Sequence, residues 1–246
     1  MSTTTKTLLT GQGGDMDDTH SYWRSPRTIA AGLVLVFIAI AIAWTATSGR
    51  HHHKPATTPA AAAYGSACGL TGGDTATPTR APEVQWQNID GNWLPISTTQ
   101  GPGRRSDTGP WSCYAHTPTG AVLAAWGIPT RMGVAQDFAT VVKQQTLPGP
   151  GQVALLKSGP GNTPVNERPV PVGFKLNAYD GNTATVTLYL RQRGATIGCA
   201  TGVQWSGADA GDWLLRLGSD GSVWLGCQQV ADDLTGIDLV PWGPQS

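Results

Sequence analysis

The chain has 246 residues, with 16 Lys plus Arg balanced by 16 Asp plus Glu and only 13% charged residues. That neutral balance, with no basic stripe, argues against a nucleic-acid binder. Four cysteines, Cys68, Cys113, Cys199 and Cys227, contain no C-x-x-C spacing, so zinc knuckles and thioredoxin chemistry have no support.

In chain order, residues 1–27 are rich in Thr, Gly and Asp and are expected to form a disordered cytoplasmic tail. Residues 28–49 follow as an uncharged stretch with a continuous apolar centre from Ile29 to Trp44. At helical rise these residues span roughly 33 Å, about one bilayer core, so a transmembrane helix is expected here. A cleaved signal peptide is the competing reading, with Ala46-Thr47-Ser48 as its small-residue site. Flanking Arg24 and Arg27 are balanced by Arg50 and Lys54, so charge does not fix the orientation. All four cysteines lie downstream, which points to an N-terminus in the cytoplasm and an extracytoplasmic C-terminal part.

Residues 50–80 read as a Pro/Ala/Thr-rich linker, and 81–246 as one exported α+β domain. The run His51-His52-His53 lacks neighbouring acidic or cysteine ligands and reads as solvated linker. Thr117-Pro118 sets a cap and first turn for a short apolar helix, Gly120 to Ile128. Val134, Phe138, Val141 and Val142 form an apolar stripe on a second helix near Met132 to Thr146. A further short helix is expected over Gly151 to Lys157. Beyond Pro171 the period becomes two, with Val172, Phe174, Leu176 and Ala178 followed by Ala184, Val186, Leu188 and Leu190. Three more strands are expected near 200–205, 213–217 and 223–229. Helices first and an antiparallel meander afterwards predict helices packed on one face of a sheet.

Four cysteines allow three pairings. Cys68 with Cys113 and Cys199 with Cys227 is the favoured set. The second bridge is the less secure, because a simple meander sets Cys199 and Cys227 two strands apart.

Catalytic patterns are scarce. There is no G-x-S-x-G, H-E-x-x-H or G-x-x-x-x-G-K-[ST]. His116, ahead of the first helix, and Asp137, on the second, are the candidate acid/base pair, with a cap and a solvated helix face as their bland alternatives. Trp86, Trp93 and Trp111 are candidate partner-contact residues, and Trp205, Trp213 and Trp224 a candidate sugar-stacking platform.

The segment Cys113-Tyr114-Ala115-His116-Thr117-Pro118-Thr119-Gly120-Ala121, with Cys68-Gly69-Leu70, Gly211-Asp212-Trp213 and Val240-Pro241-Trp242-Gly243, resembles a group of actinobacterial exported, membrane-anchored proteins of conjugative elements. The anchor, spacer and exported domain are similar in architecture to the bitopic scaffold subunit of type IV secretion systems. That resemblance implies a nuclear transport factor two-like roll, a curved antiparallel sheet covered by helices. It also implies a non-catalytic, membrane-anchored assembly subunit without a cofactor or metal. Its expected partners are the lipid bilayer, other envelope or transfer-complex proteins and further copies of itself. A cell-wall or small-ligand binding module exposed outside the membrane is the alternative.

Overall fold

The computed structural model describes residues 68–161, 163–207 and 211–244, apart from 71, 73 and 74. The chain divides into two units, Met1–Thr57 and Thr58–Ser246, and all described residues belong to the second.

Its first regular element is a hairpin of β1 (Gln85–Ile89) and β2 (Asn92–Ile96), paired from Gln85↔Ile96 to Ile89↔Asn92. Asp90 and Gly91 form the turn with φ of 48° and 81°. Two positive φ values match the twist of the flanking strands, which is why Asp-Gly serves here. A two-residue pair, β3 (Arg104–Arg105) with β4 (Trp111–Ser112), follows.

Helix α1 (Pro118–Met132) begins where Thr117, in extended conformation, accepts the Gly120 N–H at 2.9 Å. Proline at the first turn loses no helical hydrogen bond. α1 is buried almost all round, and it runs through Pro129 to Met132. The expected second helix is therefore shorter: α2 spans Phe138–Gln145, with the Asp137 side chain accepting the Thr140 N–H at 3.1 Å. α3 (Pro150–Ser158) and a 3-10 turn (Val165–Glu167) lead into the main sheet.

That sheet contains β5 (Val170–Tyr179), β6 (Thr183–Gln192), β7 (Ala195–Ser206), β8 (Asp212–Arg216), β9 (Gly226–Val230) and β10 (Val240–Pro241), all antiparallel. Its order is β10-β5-β6-β7-β8, with β9 also on β7. β8 pairs with 202–206 of β7 and β9 with 196–200, so the two share one edge end to end. The expected simple meander is thereby corrected. Cys199 and Cys227 are direct register partners, with Cα atoms 4.1 Å apart, and are disulfide-bonded; Cys68 is bonded to Cys113.

The core lies between this sheet and α1. Ala184, Val186, Leu188 and Leu190 alternate inward along β6, at 0–1% exposure, and belong to one core cluster with Val122, Leu123 and Trp126 of α1. Each buried Val or Leu among them contributes about 1.5–3 kcal/mol.

Two expectations are corrected. Among the described residues no helix is long and apolar enough to cross a membrane. The segment 28–49, where a transmembrane helix was expected, lies outside the described residues, as do the tail and His51-His52-His53. A single-pass membrane location is thus unsupported and is not carried further. The order is also not helices first: two small two-stranded sheets precede α1, and strand outweighs helix. An α+β class remains compatible.

Candidate functional site

The two short segments singled out by sequence, 113–121 and 211–213, meet. Asp212 accepts the backbone N–H groups of Cys113 at 2.5 Å, Tyr114 at 2.9 Å and Trp213 at 2.9 Å. Burial pushes its carboxyl above the usual range, and these three donors pull it back. Trp213 Nε1 donates to the Ala115 carbonyl at 2.9 Å. The His116 ring stacks on Trp205 at 3.9 Å and meets Trp213 edge-on at 5.7 Å.

Burial lowers the His116 pKa, so the imidazole is neutral near pH 7. Its Nε2 lies 2.5 Å from the Gly181 carbonyl oxygen, which only accepts, so Nε2 carries the proton. Asp137, in contrast, is exposed and caps α2. The 15-residue α1, about 22 Å long, separates the two positions. The candidate acid/base pair is not brought together, and the 113/212 cluster is a buried node that ties α1 to the sheet.

The tryptophans divide in a similar way. Trp205 and Trp213 are buried in the core and Trp224 is half-buried, so they form no open sugar platform. Trp93 is half-buried, and its carbonyl accepts Trp126 Nε1–H at 2.7 Å, fastening the hairpin to α1. Trp111 is 4% exposed, with the guanidinium carbons of Arg105 and Arg131 5.9 and 5.5 Å from its ring centre. Trp86 is half-buried and packs on Trp242 with ring centres 4.8 Å apart.

Strand β1 separates two cavities. Trp86 faces one of about 550 Å³, walled also by residues 81–84 just before the strand and by Pro171, Pro241 and Trp242. Odd positions Gln87 and Ile89 face another of about 420 Å³, walled by Arg105, Trp111 and Arg131. This division follows from the period of two along a strand. Trp242 Nε1 is buried without a hydrogen-bond partner among the described residues, a state that costs about 1–3 kcal/mol. Among the described residues no cluster of three His, Cys, Asp or Glu side chains could hold a metal ion.

Sequence reading missed Arg105, Arg131 and the role of Trp242. Arg131 was the most findable, as the one charge within the otherwise apolar or small run Ala121 to Gly133.

Residues 49–238 match the family model described as a domain of unknown function, DUF8175. The chain belongs to that family. The matched span takes in β1, Arg105, Trp111 and Arg131 and ends just before Val240-Pro241-Trp242. No curated protein and no solved structure matches the chain, so the nuclear transport factor two-like roll gains no support and is not retained.

Proposed function

We propose that this domain is a non-catalytic recognition module that grips an extended, proline-containing segment of a partner protein in the cavity beside Trp86. The carrying observation is the Trp86–Trp242 pair, with Phe174 edge-on to Trp242 at 5.6 Å and Pro82, Pro171, Pro241 and Pro244 around it. Rigid aromatic and proline surfaces lose little conformational entropy on binding, and proline-rich ligands arrive already extended. Glu83 is the one ionisable side chain in that wall, so apolar contact dominates. The non-catalytic reading is supported by the buried, proton-bearing Nε2 of His116 and the capping role of Asp137.

As a setting we propose the assembly of a conjugative transfer complex, on the strength of the motif resemblance alone. Two disulfides suit a domain that works in oxidising surroundings. Titration of the full chain with a labelled proline decapeptide, followed by fluorescence anisotropy, tests the binding claim. Saturable binding that Trp86→Ala abolishes supports it; no binding, or equal binding by the variant, refutes it.

A further inference from the structure

We infer that the cavity walled by Arg105, Trp111 and Arg131 binds a small hydroxylated anion, seating its carboxylate or phosphate group on the Arg131 guanidinium. This site lies on the opposite side of β1 from the Trp86 cavity and does not rest on the proline-segment reading.

Arg131, in the last turn of α1, is 2% exposed. Its Nε donates to the Gly109 carbonyl at 2.7 Å, and Nη2 to the Ser106 and Asp107 carbonyls at 3.0 and 2.7 Å. Among the described residues no carboxylate lies within 4 Å of this guanidinium, Asp107 acting on it only from longer range, and Nη1 has no hydrogen-bond partner. Arginine does not shed its proton in a protein, so the charge persists. Neutral carbonyls and the Trp111 ring offset part of the desolvation penalty, but a buried charge is ordinarily paired. Three anchoring carbonyls also fix the guanidinium before any ligand arrives, which removes an ordering cost from binding.

The rest of the wall narrows the ligand. A cavity of about 420 Å³ suits a small molecule. Arg105, exposed on β3, supplies a second cation at the rim. Asp90 and Asp107 also line the wall without an ion pair to either arginine, and Gln87 and Gln136 add amides. A polyanion such as nucleic acid would meet the two carboxylates unfavourably. A molecule with one anionic group and several hydroxyls would match both halves of the wall, its hydroxyls donating to the carboxylates and amide oxygens.

Isothermal titration of the full chain at low salt with glucuronate, glucose 6-phosphate, inorganic phosphate and glucose tests this. Glucuronate, glucose 6-phosphate or both should bind, and glucose should not; the acid that binds identifies the anionic group. Arg105→Gln should weaken that binding by about tenfold through loss of a charge-assisted contact, and Trp86→Ala should leave it unchanged. Arg131→Lys, checked for folding by circular dichroism, should lose it. The proposal is overturned if neither acid sugar binds, if glucose binds equally, if only inorganic phosphate binds, or if Arg105→Gln retains full affinity.

Discussion

The Asp212 carboxylate holds the backbone N–H of Cys113 at 2.5 Å, across 99 positions of sequence. Cys113 needs that restraint. Its φ of 79° is left-handed, a conformation costly for a residue with a Cβ. The disulfide to Cys68 and the Asp212 bond hold it there from two sides. The strand β8 thereby fixes the entry into α1, whose last turn carries Arg131 onto the Ser106, Asp107 and Gly109 carbonyls.

Asp212→Asn removes one carboxylate oxygen from a site where both accept, leaving a buried N–H without its acceptor. Urea unfolding at neutral pH should show a loss of about 1–3 kcal/mol.

The same variant has a pH signature. Burial raises the folded-state pKa of Asp212 above its unfolded value. Its contribution to stability is therefore fully present below the unfolded carboxylate range and is lost as pH rises through the folded value. Asp180, Asp220 and Asp233, whose turn hydrogen bonds lower their pKa, act in the opposite sense. Wild type and Asp212→Asn, unfolded in urea across acid to neutral pH, should differ most at the acid end. A gap that widens with rising pH would show the sign to be wrong.

Gly120 sits in the first turn of α1, where an added Cβ would collide with the Ala115 carbonyl oxygen. Helix propensity alone makes Ala better than Gly by about 1 kcal/mol. Gly120→Ala should nevertheless destabilise, by about 1–3 kcal/mol, because the obstacle is backbone. Gly161→Ala, which points into open space, should stay within about 0.5 kcal/mol of wild type.

β9 is exposed at Gly226, Cys227, Gln228 and Gln229, so little apolar burial holds it to β7. The Cys199–Cys227 bridge closes a loop with a sequence separation of 28, worth roughly 3–4 kcal/mol in the chain-entropy model. Replacing both cysteines by Ala should lower stability by about that amount. Hydrogen exchange should then show residues 226–230 opening before the rest of the sheet.

How much of this was legible depends on how strongly each residue signals alone. The Thr117-Pro118 cap and the alternation of Ala184, Val186, Leu188 and Leu190 announced α1 and β6, because local chemistry and tertiary burial agree there. The expected helix stops at Ile128, just before Pro129, yet burial on nearly every side carries α1 through that proline to Met132. Gln85–Ile89 mixes Trp and Ile with Gln and Asn, so β1 has no clear alternation, although Asp90-Gly91 was a usable turn signal. Edge choice was beyond local reading: β7, with 12 residues, is long enough to host β8 and β9 end to end, and spacing alone does not say so. Of the candidate contact residues, Trp86 lines a cavity, Trp93 anchors the hairpin through its carbonyl, and Trp111 is covered by two arginines.

The central claim is recognition through the Trp86 cavity, and site-directed photocrosslinking in cells tests it most directly. A photoreactive residue replaces exposed Glu83, in the cavity wall, or exposed Gln144, on α2, as the control. The account predicts one dominant protein adduct from position 83, absent from position 144 and lost with Trp86→Ala, crosslinked through a proline-containing segment. A transfer ATPase in that adduct would also support the conjugative setting. No adduct from position 83, or the same adducts from both positions, would contradict the account.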